Sequence, residues 1–167
     1  MTPLVDLGPE VPLWLAAGAL ACALVAAGWD MVKFEIPDEI SIVLIALAAA
    51  YGLVTPGFDW LSHAGAPVLV FAVGLFLFAR GWMGGGDIKL LTALASWTGL
   101  AGLPLLLVGT ALVGGGLALV LLVARRFNAA GQGPRVLHRG APLPYAVAIL
   151  GGVLFFAWQA WRVWPLG

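Results

Sequence analysis

The sequence GWMGGGDIKLL, residues 81–91, places four glycines and an ionisable carboxylate between two long apolar runs. Gly84, Gly85 and Gly86 leave the backbone free to adopt conformations closed to residues with a Cβ, and they let another segment approach closely. Asp87 follows them at the edge of an apolar run, where burying a charged side chain costs about 2.5 to 3.5 kcal/mol on insertion scales. A carboxylate kept at this cost indicates a functional site.

The composition excludes an ordinary soluble domain. Of the 167 residues, 62% are hydrophobic and 10% are charged, and the mean hydropathy is +1.05. The formal net charge is zero, so no basic excess points to nucleic acid as a partner, and the lipid bilayer is the expected surrounding. Cys22 is the only cysteine, which excludes an intrachain disulfide and a zinc site made of cysteines.

Long uncharged segments predict an all-α, polytopic membrane protein. The run 90–124 has 35 residues, too many for one span, and it contains Gly99, Gly102 and Pro104, so it is divided into two helices. The chain 1–167 is predicted to be a single transmembrane domain without a soluble domain. Its six predicted transmembrane helices are residues 11–29, 40–55, 62–80, 87–101, 104–124 and 142–161.

Basic residues predict the orientation of these helices, because the cytoplasmic side of a membrane protein carries the excess of lysine and arginine. In the six-helix arrangement only Arg162 falls on one side of the membrane. The other side carries Lys33, Arg80, Lys89, Arg125, Arg126, Arg135 and Arg139. That side is predicted to be cytoplasmic, and both termini are predicted to be extracytoplasmic.

Two acids, Asp30 and Asp87, are predicted to reach this cytoplasmic boundary from distant parts of the chain. Two carboxylates at one depth do not both ionise easily, so they share a proton. The ionised acid can then act as general base on water while the protonated acid polarises a peptide carbonyl. Taken singly, each acid also has a structural explanation: Asp30 as an interfacial cap, and Asp87 as a helix N-terminal carboxylate favoured by the macrodipole.

At three places the chain resembles the type IV prepilin peptidases, which are intramembrane aspartic proteases of the Gly-x-Gly-Asp type, and in particular their short CpaA/TadV-like members. Ile36-Pro37 follows Asp30, the sequence GGGDIKL (84–90) opens the predicted fourth helix, and PYAVAI (144–149) opens the last. The resemblance implies that Asp30 and Asp87 are the catalytic pair. It also implies that the substrate is a type IV, Flp-like prepilin cut at the cytoplasmic boundary, and that the protein lies in the bacterial inner membrane.

Five further residues are candidates for binding substrate or supporting the site. Gly84 and Gly86 belong to the glycine segment, and Tyr145 opens the last predicted helix. Lys89 is expected either to influence Asp87 or to hold a substrate carboxylate, while reaching for lipid headgroups is its alternative role. Asp38 departs from the Ile-Pro-Asn usual in the resembled family, which leaves its role open.

No metal or cofactor is expected for the peptidase reaction, and S-adenosylmethionine is expected only if a methyltransferase activity is retained. Larger members of the resembled family carry a four-cysteine zinc domain, and those cysteines are absent here. A small ion or proton transporter and a non-catalytic pilus-assembly subunit are the alternatives, because intramembrane carboxylates also mark ion paths. The oligomeric state is left open.

Overall fold

The computed structural model describes residues 13–128, 134–138 and 140–163. Its helices are α1 (Leu13–Lys33), α2 (Asp38–Val54), α3 (Trp60–Ala79), α4 (Gly85–Phe127) and α5 (Tyr145–Val163), with a 3-10 turn at Arg135–Leu137 before α5. These three ranges contain no β-strand, so the all-α prediction is confirmed for them. The predicted helical residues 11 and 12 and the basic residue Arg139 lie outside the described residues.

Among the described residues, three helices, α1, α3 and α4, are long and apolar enough to cross a membrane, and Tyr145–Ala160 of α5 is a further apolar segment. Their outward faces expose large apolar side chains such as Leu61, which is 83% exposed, and Phe71, which is 48% exposed. Extensive exposed apolar surface is expected where lipid replaces water around the helices. The membrane character is therefore supported, while six crossings and the placement of both termini stay predictions.

Gly99 interrupts α4. Its φ of 60° and ψ of −178° fall in a region that is essentially restricted to glycine, and they divide the helix into α4a (85–98) and α4b (100–127). The N-terminus of α3 stabilises this break. Ser62 Oγ accepts a hydrogen bond from the Leu100 N–H at 2.9 Å, and His63 Nδ1 donates to the Ser96 carbonyl at 2.8 Å. These contacts satisfy backbone groups that a helix break leaves unpaired.

The contacts of α4a and α4b show that they run in opposite directions. At the start of α4a, Gly85 lies beside Phe78, which is near the end of α3. At the end of α4b, Arg125 donates a hydrogen bond to the carbonyl of Pro142, just before α5. The two ends of α4 therefore meet at one end of the helix bundle. The predicted break between residues 101 and 104 was slightly misplaced, because Pro104 lies inside α4b and the α3 contacts fix the break at Gly99.

Helix α4 occupies the centre, packed against α2, α3 and α5, whereas α1 packs against α2 and α5. Glycines permit the closest approaches, since a Cβ on Gly109 would lie 2.9 Å from the Gly152 Cα and one on Gly74 would lie 2.5 Å from Ile88. Close contact between small residues is the main source of helix association in lipid. Alanines accordingly make up much of the core: Ala19, Ala26, Ala27, Ala66, Ala93, Ala95 and Ala146.

Candidate active site

A cavity of about 580 Å³ opens at the end of the bundle where α1 ends and where α2, α4 and α5 begin. The three segments singled out in the sequence all contribute to its wall. The lining residues are Asp30, Phe34, Glu35, Ile36, Asp38, Gly81, Trp82, Met83, Gly84, Gly85, Gly86, Asp87, Pro142, Leu143 and Tyr145. Asp30 and Asp87, 57 positions apart in the sequence, thus face one space.

Asp30 lies in the last turn of α1 and is 5% exposed. Its Oδ2 accepts a hydrogen bond of 2.9 Å from the backbone N–H of Ala146, the second residue of α5. The first N–H groups of a helix have no partner within that helix, and a carboxylate is favoured there. Asp30 therefore caps α5 from another helix, and this bond fixes one carboxylate oxygen beside the cavity.

Asp87 is the third residue of α4, whose N-cap is Gly84. Its carboxylate lies beside the Gly84 backbone, since a Cβ on Gly84 would lie 2.7 Å from Asp87 Oδ2. The start of α4 thus orients Asp87 by a local contact, whereas Asp30 is oriented by a contact between helices.

Glycines at the start of α4 leave room for neighbours. A Cβ on Gly84 would lie 2.7 Å from Asp87 Oδ2, and a Cβ on Gly86 would lie 3.2 Å from the Cβ of Ile36. Ile36 belongs to the short turn between α1 and α2, where Phe34 has a φ of 55° and its N–H bonds to the Asp30 carbonyl. Gly86 therefore allows the turn that follows Asp30 to pack against the segment that carries Asp87.

An ion pair lies at the edge of the cavity. Lys89 Nζ is 2.8 Å from both Oδ1 and Oδ2 of Asp38, and the two side chains are 49% and 62% exposed. Three roles were open for Lys89 in the sequence: influence on Asp87, recognition of a substrate carboxylate, and interaction with lipid headgroups. The structure places its ammonium on Asp38, a residue whose identity had no explanation in the sequence.

Tyr145 lines the cavity, 39% exposed, and it precedes the residue whose N–H binds Asp30.

Three features of the site were not predicted from the sequence: the Ala146 N–H, the carboxylate of Glu35 on the cavity wall, and the apolar side chains that also line the cavity, such as Trp82. A backbone N–H donor cannot be recognised from the side-chain type of its residue. Glu35 had one available signal, its place next to the Ile36-Pro37 motif.

The arrangement suits acid–base chemistry, since the two carboxylates of Asp30 and Asp87 line one cavity. The buried polar side chains of the described residues are Asp30, Ser41 and Thr98, which do not form a continuous polar row between the two ends of the bundle. Among the same residues, no three His, Cys, Asp or Glu side chains are arranged to hold a metal ion.

Comparisons with known proteins find similarity to leader peptidases. A family model described as the type IV leader peptidase family matches residues 17–119. The prepilin leader peptidase/N-methyltransferase of Xanthomonas campestris pv. campestris is 34% identical over 160 residues, 86% of this chain and 50% of its own length. The proteins of the same name from Aeromonas hydrophila and Neisseria gonorrhoeae are 31% and 29% identical, with coverage of 85% and 90% of this chain and 50% and 54% of their own.

The chain spans about half the length of the curated relatives it matches. The matched family region contains both Asp30 and Asp87 as well as the Asp38–Lys89 ion pair. No solved structure gave a significant match.

Proposed function

The chain belongs to the type IV leader peptidase family, and from that premise we propose that it is an intramembrane aspartic endopeptidase. It cleaves the leader peptide of type IV, Flp-like prepilins at the cytoplasmic boundary of the bacterial inner membrane. One observation carries the proposal: Asp30 and Asp87 line the same cavity. Names of the relatives support the substrate class, because those proteins are prepilin leader peptidases.

The two acids divide the chemistry between them. The ionised carboxylate accepts a proton from water, and the water oxygen attacks the carbonyl carbon of the scissile peptide bond. The protonated carboxyl donates its proton to the carbonyl oxygen, which gives a neutral tetrahedral intermediate. Its collapse breaks the C–N bond: the departing amine takes a proton from the acid that received one from water, and one hydroxyl of the intermediate returns its proton to the other carboxylate, which restores the starting pair. Because Asp30 Oδ2 already accepts from Ala146, Asp30 meets water through its other oxygen.

Orientation follows from the charges around the cavity. Lys33 ends α1, Lys89 lies in the first turns of α4, and Arg125 and Arg126 lie in the last turn of α4, all at the cavity end of the bundle, while Arg162 lies at the opposite end of α5. Basic residues mark the cytoplasmic side. The cavity accordingly faces the cytoplasm, where a prepilin held in the bilayer by its apolar segment presents its leader.

The test is a cleavage assay with the full chain in lipid vesicles and a prepilin substrate. Asp30→Asn and Asp87→Asn each remove a group that must change protonation, so the rate of cleavage is expected to fall at least about a hundredfold. Glu39→Gln is the matched control, because Glu39 is an exposed acid of α2 that does not line the cavity. Near-normal cleavage by either Asp variant, with the protein correctly inserted, would contradict the proposal.

The peptidase step is proposed to need only the two carboxylates and water, since this pair supplies both an acid and a base. Treatment with a metal chelator is therefore expected to leave the cleavage rate unchanged. N-methylation is not part of the proposal, because no feature of the described residues identifies a site for a methyl donor. Transfer of label from S-adenosylmethionine to the cleaved pilin would be measured in the same assay.

A further inference from the structure

We propose that Asp38 and Lys89 form a positioning clamp that holds Asp30 and Asp87 at their working separation. This inference rests on the proposed peptidase function. It gives Asp38 and Lys89, which lie outside the reacting pair, a role in setting the geometry of that pair. The clamp is the ion pair of Lys89 Nζ with both carboxylate oxygens of Asp38, each at 2.8 Å.

The need for a clamp follows from how the helices pack. α1 carries Asp30 and packs against α2 and α5, whereas α4 carries Asp87 and packs against α2, α3 and α5. For the described residues, α1 and α4 share no extensive interface of their own. The separation of the two acids is therefore set through the helices that both contact. On the α5 side, the bond from the Ala146 N–H to Asp30 makes this connection.

On the α2 side, the connection is made by the ion pair and by the contact of Ile36 with Gly86. Asp38 is the first residue of α2, separated from the end of α1 only by residues 34–37. This turn is constrained, because Pro37 fixes its own φ and Phe34 has a positive φ. A displacement of Asp38 is thus transmitted to the end of α1, and Lys89 lies two residues from Asp87 in α4.

The size of the effect follows from exposure. With side chains 49% and 62% exposed, the pair is screened by water and salt, so it is a modest contributor compared with a buried pair. Loss of the clamp is therefore expected to lower kcat about two- to fivefold, far less than the loss of a catalytic acid. An asparagine at position 38 keeps one oxygen acceptor for Lys89, so Asp38→Asn is expected to lie between the wild type and Asp38→Ala.

A substrate-binding role for Lys89 makes the opposite prediction for one variant. If Lys89 held a substrate carboxylate, Asp38→Ala would release the ammonium for this purpose and lower KM, while Lys89→Ala would raise KM. A clamp instead predicts that both variants lower kcat by similar factors and leave KM unchanged. The sign of the KM change in Asp38→Ala therefore separates the two roles.

The experiment measures kcat and KM for Asp38→Ala, Lys89→Ala, the double variant and the charge exchange Asp38→Lys/Lys89→Asp, in vesicles with a prepilin peptide. The double variant is expected to be no slower than either single one, and the exchange is expected to recover at least half of the wild-type kcat. Glu39→Ala and Lys33→Ala are controls at the same boundary, because neither residue lines the cavity. Additive losses, or no loss at all, would overturn the clamp.

A distance measurement keeps the test independent of cleavage. Spin labels at Glu35→Cys and Trp82→Cys, in a Cys22→Ala background, report the distance between the α1–α2 turn and the segment before α4, both exposed at the cavity. Asp38→Ala and Lys89→Ala are expected to broaden this distance distribution, whereas Glu39→Ala is not. An unchanged width refutes the clamp even if the protein cleaves prepilin. Cleavage by Asp87→Asn refutes the proposed function, whereas the distance measurement tests the clamp separately.

Discussion

The three glycines before Asp87 differ in what a side chain at each would meet. On Gly84 a Cβ would lie 2.7 Å from an Asp87 oxygen, closer than real Cβ contacts allow. On Gly86 it would be tight against Ile36 at 3.2 Å, and on Gly85 it would make an ordinary contact with Phe78 at 3.5 Å. Of the three glycines, Gly84 is therefore the one that the orientation of the Asp87 carboxylate requires most strictly.

Gly84→Ala is expected to lower the cleavage rate about 10- to 100-fold, because the new methyl group displaces the Asp87 carboxylate and small displacements of a reacting group reduce rates by this order. The fold should persist, since the clash is with a side chain. Gly85→Ala is expected to retain most activity. Gly115→Ala is the control far from the site, because no atom lies within 4 Å of a Cβ there. Equal activity of Gly84→Ala and Gly115→Ala would contradict this account.

The sequence supported the choice of Asp30 and Asp87, because a carboxylate next to an apolar run needs an explanation whatever the tertiary structure. It gave no indication of the Asp38–Lys89 pair, whose members are 51 positions apart and each have ordinary roles at a helix terminus. The Ala146 donor was equally inaccessible, since any residue but proline supplies an N–H. The catalytic role of the two acids stays a prediction until variants are measured.

At the scale of helices, the break at Gly99 determines where the α4 segments lie. A Cβ on Gly99 would be 2.8 Å from Ser62 Oγ and 3.0 Å from His63 Nε2, the residues that bind the free backbone groups there. Three helix-breaking residues in this region, Gly99, Gly102 and Pro104, made a break predictable from the sequence. Its position was not predictable, because contacts with α3 select Gly99.

Gly99→Ala is expected to destabilise the protein by about 1 to 3 kcal/mol from backbone strain alone, with an added cost for the contact with Ser62. Unfolding in detergent, followed by tryptophan fluorescence, measures this change. Gly116→Ala lies in the same helix with no atom within 4 Å of its Cβ, and it is expected to be neutral or slightly stabilising. A Gly99→Ala protein as stable as wild type would show that the break is not obligatory.

Ser62→Ala removes the hydroxyl that accepts from the Leu100 N–H at the start of α4b, so a loss of about 0.5 to 2 kcal/mol is expected, as for other capping residues. Ser96→Ala is the matched control. Its hydroxyl bonds within its own helix, while the Ser96 carbonyl that accepts from His63 is retained, so a change within about 0.5 kcal/mol is expected. The same unfolding measurement compares them. Equal losses of unfolding free energy in Ser62→Ala and Ser96→Ala would contradict the capping role of Ser62.

For the whole molecule, the reversal at Gly99 brings both ends of α4 to the cavity, and with them the basic residues Lys89, Arg125 and Arg126. The hydropathy of the sequence predicted the helical character of the chain, because long apolar runs satisfy their backbone only as helices in lipid. The number of crossings is harder to predict. α2 has 17 residues, fewer than α1 or α3, so its depth depends on packing against α4 and α1 rather than on its own length.

The two ends of α2 offer a direct measurement of orientation. Glu39, in its first turn, lies at the cavity end, and Pro56 lies in the turn beyond its last residue; both are exposed. Because Lys33, Lys89 and Arg125 surround the cavity end, that end is expected to face the cytoplasm. In a Cys22→Ala background, a membrane-impermeant maleimide should label Glu39→Cys in inverted vesicles and Pro56→Cys in intact spheroplasts.

The reverse pattern of labelling would place the cavity outside the cytoplasm, where a leader that stays in the cytoplasm could not enter it, and the proposed cleavage would then lack access to its substrate. Labelling of both cysteines from one side would show that α2 does not cross the bilayer. In that case the unequal distribution of basic residues between the two bundle ends would no longer correspond to opposite membrane faces. The Cys22→Ala protein without added cysteines sets the background, since Cys22 is the single cysteine of the chain. Only opposite labelling of Glu39→Cys and Pro56→Cys agrees with a cavity that receives a prepilin leader from the cytoplasm.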